Sequence, residues 1–224
     1  MATLYVVATP IGNLDDITLR ALEVLKSVDI IGAETVSIAR KLLSAYGISG
    51  KKIITVREAG REKTYGYIKS LLDEGYDIAI ISDAGTPGIS DPGNGIVDTL
   101  LAEGYEVVPV PGPSAITALL SVFPIRDPWV FLGFLPKKKG KRKKVLESFY
   151  VIDVNIVFYE TPYKIMETLQ LLNEIMPDKQ MCLGREITKK YEEFIVGTPE
   201  EVLHILEEKR EIKGEIVCAI RVNK

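Results

Sequence analysis

Three glycine- and proline-rich segments carry the side chains best suited to hold a small polar ligand. They read VATPIGN at 7–13, SDAGTPGISDPG at 82–93 and VPGPSAIT at 110–117. Glycine permits positive φ and close backbone approach, and proline fixes φ, so these are shaped loops with exposed main-chain groups. Asp83 and Glu34 are available to a ribose hydroxyl or an ammonium group. The pattern predicts a site for a ligand with both polar and apolar parts.

A second chemical feature is the basic run KKKGKRKK at 137–144, which holds seven cationic side chains in eight positions. Because the net charge of the chain is only −3, any affinity for nucleic acid has to come from such a local patch. The run is typical of a loop that contacts phosphates, and a solvated loop without a partner is the alternative. It contains no aromatic residue, so base stacking would come from elsewhere. The predicted RNA contacts are Lys137, Lys138, Lys139, Lys141, Arg142, Lys143 and Lys144.

Several common kinds of site have no signal in the sequence. There is no GxGxxG after the first apolar run, no phosphate-binding GxxxxGK[ST] motif, and no HExxH or CxxC pair, so we predict no metal. His204 stands among apolar residues, which favours packing over catalysis. Cys182 and Cys218 are too few for a disulfide framework and indicate buried thiols in a reducing cytoplasm. No stretch approaches the roughly eighteen apolar residues of a membrane span, and a cytoplasmic location is expected.

The elements that position these residues alternate in the first half of the chain. Short apolar strands are predicted at 4–8, 30–33, 52–56, 78–82 and 106–110, with helices between them. Strands that alternate with helices indicate a parallel sheet with crossover helices. Ligands of such sheets bind at the carboxyl ends of the strands, where the three shaped loops begin.

The alternation ends after the third loop, and we place a domain boundary there. The prediction is an N-terminal α/β domain at 1–112 and a C-terminal α+β domain at 113–224 with a mixed sheet. Strands are expected at 129–134, 155–159, 180–185, 192–197 and 215–222. The link EITKKYEEF at 186–194 is too short for a helical crossover, so the strands that it joins should be antiparallel.

Motifs spread over most of the chain resemble those of one family. They are LYVVATPIGNLDDITLRALEVL, SDAGTPGISDPG, VPGPSAITAL, FLGFLP, FYETPYK, GREITKKYEEF and KGEIV. In this order they resemble the 16S rRNA cytidine 2′-O-methyltransferases, the ribosomal RNA small subunit methyltransferase I family of the tetrapyrrole methylase superfamily. The resemblance implies two α/β domains with S-adenosylmethionine in the cleft between them, a homodimer, and 16S rRNA or the 30S subunit as partner.

The resemblance also implies roles for individual residues. Because a ribose 2′-hydroxyl is a weak nucleophile, the implied reaction calls for a base, and Glu34 or Glu186 is the candidate, with Lys189 or Arg185 steering phosphate. Arg185, Glu186 and Lys189 have a surface ion-pair cluster as their alternative. Ser114 is equally well explained as a helix N-cap. The implied cofactor contacts are Pro10, Asp83, Gly85, Thr86, Pro87, Ser114, Ala115, Tyr159 and Glu160.

Two segments depart from the family pattern and leave alternatives open. AETVS at 33–37 stands where the family reads AEDTR, and VREAGRE at 56–62 replaces a His-Asn-Glu pattern. A tetrapyrrole C-methylase on the same scaffold is one alternative. A non-catalytic homologue that binds the cofactor and the ribosome is the other.

Overall fold

The chain divides into two compact units, Met1–Ser114 and Ala115–Lys224. The computed structural model describes residues 2–56, 61–90 and 94–222, with only the backbone of Arg61 and Asn94. Parts of VREAGRE and of SDAGTPGISDPG, at 57–60 and 91–93, lie outside the described residues. Within the described ranges, no helix is both long and apolar enough to cross a membrane.

The first unit is built on a five-stranded parallel sheet, which confirms the predicted fold class. Its strands run in the order β3-β2-β4-β1-β5. The strands are β1 Thr3–Val7, β2 Ile30–Ala33, β3 Lys52–Thr55, β4 Ile78–Ile81 and β5 Glu106–Val110. The helices are α1 Leu19–Ser27, α2 Val36–Ala45, α3 Arg61–Asp73 and α4 Asn94–Ala102.

The central strand β4 shows why its sequence is apolar throughout. All four of its residues are buried, because the sheet is covered on both faces. Ile78 and Ile80 belong to one apolar cluster, while Ala79 and Ile81 belong to the other. Successive side chains of a strand point to opposite faces, so a continuous apolar run fills two cores at once. Each fully buried isoleucine contributes about 1.5–3 kcal/mol.

The second unit contains a mixed five-stranded sheet in the order β6-β7-β10-β8-β9. Only β6 and β7 are parallel, and the other neighbours are antiparallel. The β8–β9 pair is the one predicted from the short link, and its antiparallel pairing is confirmed. The strands are β6 Trp129–Phe134, β7 Asn155–Glu160, β8 Gln180–Arg185, β9 Glu193–Gly197 and β10 Ile216–Arg221. The helices are α5 Ala115–Val122, α6 Lys139–Val151, α7 Ile165–Ile175 and α8 Pro199–Glu207.

The basic run does not form the loop that the sequence predicted. Lys139 to Lys144 are the first residues of α6, and only Lys137 and Lys138 precede the helix. Lysine and arginine are good helix formers. Arg142 of the run lies one turn before Leu146, and both side chains are on the buried face of α6. The remaining lysines therefore project from an ordered helix end.

Candidate functional site

The three shaped loops lie side by side at one edge of the first sheet. Because β1 is the neighbour of both β4 and β5, the segments that follow these strands are adjacent. The Thr9 N–H donates to the Gly85 carbonyl (2.8 Å), and the Gly85 N–H donates to the Thr9 carbonyl (3.1 Å). The Thr86 hydroxyl donates to the Pro113 carbonyl (3.3 Å). Hydrogen bonds thus join the loops after β1, β4 and β5 into one surface.

Two glycines allow the loops to approach so closely. Gly85 has a φ of +78°, and a Cβ there would lie 3.3 Å from a methyl group of Ile11. A Cβ at Gly112 would lie 2.9 Å from the Cβ of Ala8. Positive φ and missing side-chain volume are the two properties that only glycine supplies freely. The glycines are therefore needed for the shape of this edge.

A pair of carboxylates, Glu34 and Asp83, stands where β2 and β4 end at the same edge. The Thr35 N–H donates to Asp83 Oδ1 (3.1 Å), and Glu34 accepts a hydrogen bond from the Asp83 N–H. Burial raises the pKa of Glu34 above its ordinary value, and the charge of Asp83 raises it further, against the opposing effect of that hydrogen bond. A raised pKa makes Glu34 a better proton acceptor than an ordinary surface carboxylate.

The other residues assigned to the cofactor in this unit line the same edge at different depths. Pro10, Gly85 and Pro87 are buried, and Asp83, Thr86 and Ser114 are half-buried. Ser114 directly precedes α5, whose first residue is Ala115, so its position agrees with an N-cap as well as with a ligand contact.

The predicted site residues of the second unit also share one edge of their sheet. The strand register pairs Phe134 with Tyr159, Glu160 with Ile216, and Ile216 with Arg185. The ends of β6, β7 and β8 and the start of β10 therefore lie together. The turn after β8 carries Glu186 and Lys189 at the same edge.

Within this edge, Arg185, Glu186 and Lys189 are engaged in ion pairs. Arg185 Nε lies 3.0 Å from a Glu193 carboxylate oxygen, and Lys189 Nζ lies 2.8 Å from both Glu186 and Glu215. Burial alone would raise the pKa of Glu186, but the hydrogen bonds from Lys189 and from the Glu215 N–H, with the nearby positive charges, lower it overall. A carboxylate with a lowered pKa is a poor base, so the geometry favours the ion-pair interpretation and leaves Glu34 as the stronger candidate.

Glu160 and Arg142 form a buried polar chain that the sequence did not indicate. Glu160 accepts hydrogen bonds from the Thr161 N–H (2.8 Å) and from the Thr168 hydroxyl (2.7 Å), and Thr168 in turn accepts from Arg142 Nη1 (2.8 Å). Both Glu160 carboxylate oxygens thus bond to neighbouring protein groups. Glu160 therefore supports this end of the sheet from inside the protein. Of the two predicted cofactor contacts on β7, Tyr159 is the one at the surface.

Arg142 itself is fully buried, which corrects its sequence-based placement at the surface. Its guanidinium donates to the carbonyls of Pro136 (3.2 Å) and Lys137 (3.3 Å) and pairs with Glu167 (3.1 Å). A buried arginine has to be paired in this way, because an unpaired charge is costly in the interior. Arg142 therefore holds the segment before α6 against α7.

The lysines of the run differ from Arg142 in that most of them face solvent. Lys143 is half-buried and pairs with Glu174 (3.1 Å). Those that are exposed are Lys137, Lys138, Lys139, Lys141 and Lys144.

Sequence reasoning missed one conspicuous side chain in this region, Tyr163. It is 96% exposed and follows β7 in the motif FYETPYK. The motif pointed to Tyr159 and Glu160, and no pattern distinguished an outward aromatic ring three residues after Glu160.

In the described part of the chain no group of three or more metal-ligating side chains occurs.

Comparison with known proteins identifies the family. The model of the tetrapyrrole (corrin/porphyrin) methylases matches residues 3–203. The chain is 44% identical to "Ribosomal RNA small subunit methyltransferase I" of Coprothermobacter proteolyticus, over 97% of this chain and 96% of that protein. It is 41% identical to the protein of that name from Thermotoga maritima, over 98% of each. The crystal structure of a cobalamin biosynthetic enzyme, cobalt precorrin-4 methyltransferase, superposes with a TM-score of 0.70 at 14% identity, over 97% of this chain and 94% of the other.

The structural match concerns the fold, and the family assignment follows from the sequence matches, which extend over nearly the whole chain. This chain belongs to the ribosomal RNA small subunit methyltransferase I family of the tetrapyrrole methylases, and it is a methyltransferase that uses S-adenosylmethionine.

Proposed function

We propose that this protein transfers the methyl group of S-adenosylmethionine to the ribose 2′-hydroxyl of a cytidine in 16S rRNA within the 30S subunit. The observation that carries the proposal is the end-to-end similarity to relatives whose names state a small subunit ribosomal RNA substrate. The choice of a cytidine 2′-hydroxyl rests on the motif resemblance described above.

The joined loops of the first sheet fit the cofactor by their chemistry. S-adenosylmethionine carries an ammonium and a sulfonium, both positive, with ribose hydroxyls and an adenine ring. The edge offers main-chain donors and acceptors from three loops and the carboxylate of Asp83. The Thr35 N–H donates a hydrogen bond to one oxygen of the Asp83 carboxylate. The other lone pairs of this carboxylate are suited to a hydroxyl or ammonium donor. We assign Asp83, Gly85, Thr86 and the segment around Ser114 to this contact.

The bound cofactor supplies an electrophilic methyl group whose bond to sulfur breaks as the new bond to oxygen forms. This chain has to align the acceptor oxygen with that bond, and alignment accounts for about 7–11 kcal/mol of barrier lowering in well-oriented systems. It also has to remove the proton of a weakly nucleophilic hydroxyl. We assign proton removal to Glu34, an effect of about 10²- to 10⁴-fold in typical enzymes.

The test is transfer of a labelled methyl group to 30S subunits from cells that lack this gene, followed by mapping of ribose methylation. We expect one labelled cytidine, and none when its 2′-hydroxyl is replaced by hydrogen. Transfer that survives this replacement contradicts the proposal. Transfer to a uroporphyrinogen or precorrin acceptor instead of RNA supports the tetrapyrrole alternative, and cofactor binding without any transfer supports the non-catalytic one.

Glu34→Gln separates the proposed base from the cofactor site. We expect kcat to fall about 10²- to 10⁴-fold while the heat of cofactor binding is retained. Because the base has to be deprotonated, activity of the unaltered protein should rise with pH through a pKa above the ordinary 4.5 of glutamate. Glu23→Gln, at an exposed position on α1, is the matched control. Unchanged kcat in Glu34→Gln refutes the assignment.

A further inference from the structure

We propose that Tyr163 is a base-stacking residue of an RNA-binding edge, and this inference rests on the proposed function. The aromatic–basic edge, as we name it, consists of Phe134, Lys137, Lys138, Lys139, Lys141 and Tyr163. Its lysines contact phosphates of an unpaired RNA segment, while the Tyr163 ring stacks on one of its bases.

The topology of the second sheet brings both parts of the edge together. β6 and β7 are parallel neighbours, so their carboxyl ends lie at the same side of the sheet, with Phe134 opposite Tyr159. The lysine segment follows β6, and Tyr163 follows β7. Neighbouring strands are about 4.8 Å apart, which leaves the two segments adjacent at this edge.

Tyr163 is exposed although the backbone around it is well ordered by hydrogen bonds. The Lys164 and Ile165 N–H groups both donate to the Thr161 carbonyl (3.0 Å each), and the Thr161 N–H donates to Glu160. A turn built in this way fixes the backbone from which the ring projects, while 96% of the residue remains accessible. A tyrosine side chain has only two χ angles, so it loses little conformational entropy when a base stacks on it.

A second aromatic side chain extends the surface toward the lysines. Phe134 is 55% exposed, and its ring lies 5.4 Å from that of Tyr159 between ring centroids. Tyr159 also packs edge-on against Phe131 at 5.0 Å. The Phe134 ring therefore packs against Tyr159, while its exposed part extends the aromatic surface, as in a stacking platform.

Buried Arg142 connects the two parts of the edge. Its contacts with the carbonyls of Pro136 and Lys137 hold the lysine segment, and its contacts with Glu167 and Thr168 hold α7, which begins two residues after Tyr163. We infer a positioning role for Arg142, since it touches no solvent.

The charges favour RNA as the occupant. Within the described part of the chain, the ion pairs of the basic run involve Arg142 and Lys143, and the four lysines of the edge face solvent. Cations that track a sugar-phosphate backbone beside exposed rings are the combination by which proteins bind single-stranded nucleic acid. Stacking tolerates any base, so this edge contributes affinity and position, and sequence selection lies elsewhere.

The test uses the full chain and labelled 16S rRNA in a filter-binding assay, with Tyr163→Leu and Tyr163→Phe compared. We expect the leucine variant to bind about 5- to 150-fold more weakly and the phenylalanine variant to bind like the unaltered protein, since stacking needs the ring. The slope of log affinity against log salt should not change, because no charge is removed. Removing all four lysines of the edge by substitution to Gln should reduce that slope by about 2–3.

Controls separate stacking from folding and from cofactor binding. Tyr150→Leu, at an exposed position near the far end of α6, should leave RNA affinity unchanged. The melting temperature and the heat of cofactor binding of Tyr163→Leu should equal those of the unaltered protein.

Each other outcome has a defined meaning. Equal RNA affinity of Tyr163→Leu and the unaltered protein overturns the inference, as does a loss confined to cofactor binding. Weaker binding to 30S subunits with unchanged binding to naked 16S rRNA makes the partner a ribosomal protein, which also overturns it. If 16S rRNA binds as expected but 30S subunits receive no methyl group, the proposed function fails and the inference about the edge is retained.

Discussion

We expect Lys138→Asp to raise the stability of the protein and to lower its affinity for RNA. Lys138 is the N-cap of α6, with a φ of −82° and a ψ of 124°, and its side chain makes no capping hydrogen bond. The first turn of α6 contains lysines and no acidic residue. Positive charge at a helix N-terminus opposes the helix dipole, so this placement reduces stability.

The magnitude follows from two effects that overlap. An aspartate N-cap accepts a hydrogen bond from the N–H of Gly140 or Lys141, which contributes about 0.5–2 kcal/mol. Exchanging a positive for a negative charge at this end contributes about 0.3–1 kcal/mol for each charge. We expect about 1–2 kcal/mol in total, or an increase in melting temperature of about 2–8 °C for a chain of this size.

The assay is thermal unfolding in parallel with 16S rRNA binding. Lys144→Asp makes the same charge change at an exposed position six residues later, where the dipole effect has faded, so it should not raise the melting temperature. Lys138→Asn isolates the capping hydrogen bond from the charge. If Lys138→Asp melts at or below the temperature of the unaltered protein, an acidic N-cap does not stabilise the start of α6. If its RNA affinity is undiminished, Lys138 contacts no phosphate.

Three further perturbations test other parts of the structure. Arg142→Met should lower the free energy of unfolding by about 2–4 kcal/mol, because buried polar groups lose their partner, and a loss below about 1 kcal/mol in urea denaturation would contradict this. Glu186→Gln should lower the free energy of unfolding by an amount that depends on pH. Because the pKa of Glu186 is lowered in the folded protein, its ion pairs stabilise the fold above pH 4.5. This stabilisation disappears as the pH falls through the lowered pKa. Melting curves between about pH 7 and about pH 3 should show the difference from the unaltered protein shrinking toward acid, and a constant difference would argue against the ion pairs. Gly112→Val should abolish the heat of cofactor binding, since a Cβ at Gly112 would lie 2.9 Å from a neighbouring side chain, whereas Gly66→Ala has open space around it and should bind normally.

Much of the architecture could be predicted from local sequence patterns. Short apolar runs separated by helical segments indicated the parallel sheet, because only strands covered on both faces need to be apolar throughout. The seven residues between β8 and β9 indicated an antiparallel pair, since chain length alone forbids a helical crossover. Glycines and prolines after three strands indicated shaped loops, and parallel topology dictated that those loops share an edge.

The roles of individual polar side chains required the tertiary structure. Arg142 has the same kind of neighbours in sequence as the lysines around it, yet it is fully buried while most of those lysines are exposed. Its environment is set by Thr168, 26 positions away, which lies on the helix packed against α6. In the same way, Glu186 has its pKa lowered by contacts with Lys189 and with Glu215, a distant residue.

The sequence by itself therefore determined which segments form strands, helices and tight loops, because propensity and periodicity act over a few neighbouring residues. Only the tertiary structure decided which charged groups are buried and paired and which aromatic rings, such as that of Tyr163, remain in solvent. The physical reason is that burial and ion pairing depend on the faces that distant elements present to one another, and no local pattern records them.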